Sequence, residues 1–235
     1  MSKNLFLAVF GLTLLLFSSS GTVWGQNRIP NEPLRTVDQA VDEAKAKGLT
    51  EITLGHWTGG QRTFEGLDGA IAAYSLVEAV LEEKRTTVSG YNLNSYLRFE
   101  QISKLAGPPP GLFHMPDHVP ADMRHISGRE FVLAAPNDGE LVMRGVRVRS
   151  GNDTLEEFVV GRRYLLFVGF SGPEIVGLPF GLSGVFQVSD TNNLVALRPD
   201  GDVARAFKAA SLALVADVEV YYKAHAREPG HGQVR

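Results

Sequence analysis

Residues 164–168 read Tyr-Leu-Leu-Phe-Val, an apolar run with no polar break. Successive side chains of a β-strand point to opposite faces, so such a run needs apolar cover on both sides. It predicts a central strand, dry on both faces, around which the other elements must be arranged. Gly161, three residues before it, suits the turn that leads in. Shorter strands are expected at 184–188 and 194–197, separated by the turn residues Asp190-Thr191-Asn192-Asn193.

The N-terminal 25 residues have the layout of a secretory signal: Lys3, an apolar run from Leu5 to Phe17, then small and polar residues to Gly25. The run is shorter than the roughly 20 residues a bilayer span needs. Cleavage after Gly25 would leave a chain without a transmembrane helix, in a periplasmic or extracellular setting; the alternative is an uncleaved N-terminal anchor. There are no cysteines. Small secreted scaffolds often rely on disulfides, whereas the residues left here are enough to fold on a core alone. Cysteine-based zinc sites, thiol catalysis and c-type haem are excluded. The formal net charge of −3 gives no general pull toward nucleic acid or anionic lipid.

Residues 26–35 read as a linker and 36–73 as a short N-terminal helix-strand extension. Thr36 and Gln39 have the spacing of a capping box; Val37, Ala40, Val41 and Ala44 fall on one helical face, and Gly48 ends the helix. Glu51 to Leu54 suggests a strand. A second short helix is expected near 66–73. A long strand near 75–88 then turns at Ser89-Gly90-Tyr91-Asn92 and hairpins back through 94–104. Gly107-Pro108-Pro109-Pro110-Gly111 opens a long loop that runs to about Ser127. Further strands are expected at 129–133 and, as one piece, 140–149. The final element reads as a single helix from Asp202 to His225 with Val203, Phe207, Leu214, Val218 and Tyr221 as its buried stripe. Residues 226–235 read as a flexible tail.

The order of these segments carries a resemblance. Leu76-Val77-Glu78-Ala79-Val80 is followed by Tyr96-Leu97-Arg98-Phe99-Glu100-Gln101-Ile102, then by Gly161-Arg162-Arg163-Tyr164-Leu165-Leu166-Phe167-Val168 and Gly184-Val185-Phe186-Gln187-Val188. The sequence resembles uncharacterised exported bacterial proteins with an OB-like barrel. More distantly, it is similar to the netrin/TIMP-like module of secreted proteins, where a strand pair precedes a G-x-x-Y-L-x-F strand and often a closing helix. The resemblance implies an α+β, mainly β fold: a small OB-like β-barrel over 74–225 with a closing C-terminal helix. The animal modules are stapled by disulfides and this chain has none, so their protease-binding edge does not carry over.

Two constellations stand out as chemistry. His114, Asp117, His118 and His125 gather three imidazoles and a carboxylate in the long loop, residue types that suit zinc, copper or nickel. Pro116 and Pro120 disfavour a regular helix there, so the spacing matches no helical metal motif. Against the metal stands a solvated loop that merely carries histidines. Arg144, Arg147, Arg149, Arg162 and Arg163 lie on neighbouring predicted strands. Arg147 and Arg149 project from the same strand face and suit an anionic ligand, unless they belong to an ordinary charged outer face neutralised by Glu140, Asp153, Glu156 and Glu157. The pairs Glu82-Glu83 and Glu156-Glu157 read as surface charge, because strand neighbours point to opposite faces.

With no catalytic motif, the sequence reads as an exported non-catalytic binding or interaction domain. Its partner would be a protein or small ligand of the cell envelope, with no nucleic acid and no cofactor. The alternatives are a divalent-metal protein or metal-dependent hydrolase using the loop 114–125, and a structural envelope protein whose sheet edge pairs with another chain.

Overall fold

The computed structural model describes residues 35–55, 63–106, 119–123, 129–136, 138–150, 157–170 and 176–225. The architecture is α+β and mostly strand. Helix α1 (Val37–Ala46) and strand β1 (Glu51–Thr53) lead to α2 (Leu67–Ala73) and the long hairpin β2 (Ser75–Ser89) and β3 (Asn92–Ala106). Then come β4 (Glu130–Pro136), β5 (Gly139–Met143), β6 (Val146–Ser150), β7 (Arg163–Phe170) and β8 (Val176–Gly177). Strands β9 (Val185–Val188) and β10 (Leu194–Ala196) precede α3 (Asp202–Ala209) and α4 (Val215–His225).

Seven strands form one sheet in the order β10-β9-β7-β2-β3-β4-β8, and β8 also pairs with β7. The β4–β8 contact is parallel; all other pairings in this sheet are antiparallel. Strand β7 therefore bonds to β2, β9 and β8. Its residues Tyr164 to Val168 are all buried, as their unbroken apolar run predicts. They divide by parity. Tyr164, Leu166 and Val168 join Val77, Ala79, Leu81, Leu97, Phe99, Phe131, Leu133 and Phe158 in one core. Leu165 and Phe167 face the other way, into a core shared with α2, α3 and α4 through Leu67, Val203, Phe207, Val218 and Tyr222. Phe180 and Leu182, from the glycine-rich connection after β8, fill one core each.

The hairpin β2–β3 is longer than either core. Register shifts at Leu76/Val77, Glu78/Ala79 and Leu81/Glu83 mark bulges that bend it. Its far end serves a second, three-stranded sheet in the order β1-β6-β5. There α1 lays Val37, Val41 and Ala44 on Val146, Val148 and the hairpin residue Leu93. The capping box is formed as the sequence predicts: the Gln39 N–H donates to Thr36 Oγ1 at 3.2 Å and the Thr36 N–H to Gln39 Oε1 at 2.9 Å. Strand β5 starts close against the hairpin. A Cβ at Gly139, whose φ is +133°, would collide with the Ser95 and Thr86 side chains, so only glycine fits.

Three expectations change. The segment 140–149 is a hairpin, not one strand: Arg144 and Gly145, with φ of 50° and 84°, make its turn. Moreover, β6 runs parallel to β1, so this hairpin shares a sheet with the N-terminal extension. The final helix is broken. Ser211 takes φ 59°, the Leu194 N–H donates to the Ala213 carbonyl at 2.8 Å, and the Asp217 carboxylate accepts from the Leu214 N–H at 2.9 Å. The break resets the helical phase, so Val215, Val218 and Tyr222 line the core and Tyr221 is only half-buried. Among the described residues the Tyr222 hydroxyl has no hydrogen-bond partner, and burial pushes its pKa well above the usual phenol range.

An ion pair between the buried Glu78 and the partly exposed Arg163 sits where β2 meets β7. Arg163 Nε donates to Glu78 Oε1 at 3.0 Å, and Arg163 Nη2 donates to the same oxygen and to Asn192 Oδ1. Ser103 Oγ donates to Glu78 Oε2 at 3.2 Å. Removing one partner of such a pair strands the other charge in low dielectric. Arg163→Met is therefore expected to destabilise the fold by about 1–3 kcal/mol, because Glu78 is buried while Arg163 is partly exposed. Leu166→Ala, which opens a cavity behind β7, should cost about 3–4 kcal/mol. Urea unfolding followed by far-ultraviolet circular dichroism measures both.

Candidate functional site

The predicted arginine face is the outer side of the small sheet. Arg147 and Arg149 alternate on β6 with the buried Val146 and Val148, as strand period requires. Both are already engaged. Glu140 Oε2 accepts from Arg149 Nε at 2.7 Å, Glu140 Oε1 lies 3.3 Å from Arg147 Nε, and Glu51 Oε1 lies 3.6 Å from Arg149 Nε. Two guanidiniums and two carboxylates thus share this patch, and an anion would compete with Glu140 for both arginines. The other arginines are elsewhere. Arg144 bridges Asp38 and Asp42 of α1, Arg162 is exposed just before β7, and Arg163 lies on the large sheet with Glu78. His114, Asp117, His118 and His125 lie outside the described residues.

A different charged surface emerges on the outer face of β2, β3 and β4. On β3, Leu97 and Phe99 turn inward, which places Tyr96, Arg98 and Glu100 outward. Residues 119–123 cover one end of this face, with Val119 and Met123 packed on Tyr96 and Val132. The rest is ionic. The register sets Glu100 of β3 directly opposite Glu130 of β4. On β2 the shift between Leu81 and Glu83 leaves Glu82 without a register partner. Simple alternation would put Glu82 and Glu83 on opposite faces. At this bulge both instead reach Arg98, Glu82 Oε2 at 3.5 Å from Nε and Glu83 Oε2 at 3.1 Å from Nη2. Arg85 bonds Glu83 and Asp122, tying residues 119–123 to β2, and this contact holds the Asp122 carboxyl below its usual range.

Among the described residues, the carboxylates of Glu82, Glu83, Glu100, Asp122 and Glu130 share this face with the guanidiniums of Arg85 and Arg98. Glu82 bears the consequence. Its pKa is raised, first by desolvation and then by the charge of Glu130, while Arg98 pulls the other way. Like charges directly across a ladder are destabilising, and a raised carboxyl pKa in a charge cluster is a physical pointer to function. Sequence reasoning missed this group because neither the bulge at Glu82 nor the β3–β4 register is written in local spacing. Among the described residues, no three His, Asp or Glu side chains are grouped as a metal set.

Compared with protein-family models, curated proteins and solved structures, the chain matches none.

A raised carboxyl pKa means that the folded state binds the proton better than the unfolded state does. The contribution is fully present below the unfolded carboxylate pKa and is lost as pH rises through Glu82's raised value. Glu130→Gln removes the repelling charge. It is expected to raise the melting temperature at pH 7 by about 1–2 °C, for roughly 0.5 kcal/mol. The gain should shrink as pH falls into the ordinary carboxylate range. Thermal melts between acid and neutral pH measure the slope, and an unchanged slope in the variant would count against the Glu82–Glu130 coupling.

Proposed function

We propose that this chain is an exported, non-catalytic binding domain built on an OB-like β-barrel, and that it takes a positively charged ligand or protein segment on the outer face of β2–β4. The cyclic order of pairings β7-β2-β3-β4-β8-β7, with β4 and β8 parallel, supports the barrel reading. In OB-like barrels the second and third strands form the usual binding face, and these correspond to β3 and β4. Export, to the periplasm or the cell exterior, is supported by the layout of residues 1–25.

One observation carries the choice of ligand: Glu100 is held opposite Glu130 in the ladder, and the charge of Glu130 helps to raise the pKa of Glu82 beside them. The backbone ladder fixes the register that sets Glu100 opposite Glu130, and a cationic group on this face would be attracted to the described carboxylates. The carboxylates described on this face also disfavour nucleic acid there. Calorimetric titration with a lysine tetrapeptide at low salt tests the proposal, with neutral and acidic peptides as controls. Salt-sensitive binding of the cationic peptide is expected, weakened about tenfold, or roughly 1.4 kcal/mol, in Glu82→Gln/Glu100→Gln/Glu130→Gln. Equal binding of all three peptides, or full binding by the triple variant, would overturn it.

A divalent metal held by His114, Asp117, His118 and His125 is the second reading, supported by the residue types in that segment. Elemental analysis of the purified protein tests it: a stoichiometric metal that is lost in His118→Ala is the expected result, and metal-free protein removes the reading.

A further inference from the structure

We draw no further inference here: the strongest candidate, the carboxylate cluster of Glu82, Glu100 and Glu130 on the outer face of β2–β4, belongs to the surface already described, and nothing else in the structure shows what covers it.

Discussion

Burial of β7 on both faces is the constraint on which the described structure depends. The run Tyr164 to Val168 carries no charged side chain and has no face to give to water, so each side must be closed by a separate layer. Here Tyr164, Leu166 and Val168 are closed by the inward residues of β2, β3 and β4, and Leu165 and Phe167 by α3 and α4. The same strand bonds along its backbone to β2, β8 and β9. One element thus couples two cores and three neighbouring strands. In a chain without cysteine, that coupling takes the place of the disulfides found in many small secreted folds.

Polar groups reinforce the same junction. Glu78 is buried on β2 because Arg163, at the start of β7, and Ser103, on β3, satisfy both of its oxygens. Asn192, in the turn between β9 and β10, accepts a second hydrogen bond from the same Nη2 of the guanidinium. The backbone of that turn continues the ladder into the link between α3 and α4, through the Asn193–Leu214 bridge. The helical layer is consequently fastened to the sheet edge by backbone hydrogen bonds as well as by apolar contact. Strand β10, at that edge, is only three residues long, which limits pairing with other chains.

Local patterns were legible wherever the physics is local. The Thr36–Gln39 box, the α1 stripe and the dry run of β7 follow from spacing and residue type alone, whereas the β2–β3 hairpin, whose first strand also fits a helical stripe, needed the turn signal at 89–92. The features that were not legible depend on partners distant in sequence. Arg144-Gly145 lacks the Asn-Gly or Asp-Gly signal of a tight hairpin, yet Arg144 adopts positive φ there, with its side chain between Asp38 and Asp42. The break between α3 and α4 is made by bonds to β10, and it exchanged Tyr221 for Tyr222 in the core. The parallel pairing of β1 with β6 sets Glu51 beside Arg147, far apart in the chain, which no periodicity reports.

The acidic face illustrates the same limit for the site. The sequence offers Glu82 and Glu83 as neighbours, and alternation assigns them to opposite sides of a strand. A single extra residue in the ladder cancels that rule and brings both to Arg98. The opposition of Glu100 and Glu130 is set by register, and register is set by the inward residues Leu97, Phe99, Phe131 and Leu133, which must all point to the core. Relief of the repulsion by sliding one strand by a residue would turn its inward side chains toward water, at a cost of several kcal/mol. An exposed like-charge contact costs a fraction of that. The core therefore wins, and the carboxylates stay where it places them. A charge cluster held by the packing behind it is preorganised, and a cation that meets it has little ordering of the protein left to oppose binding.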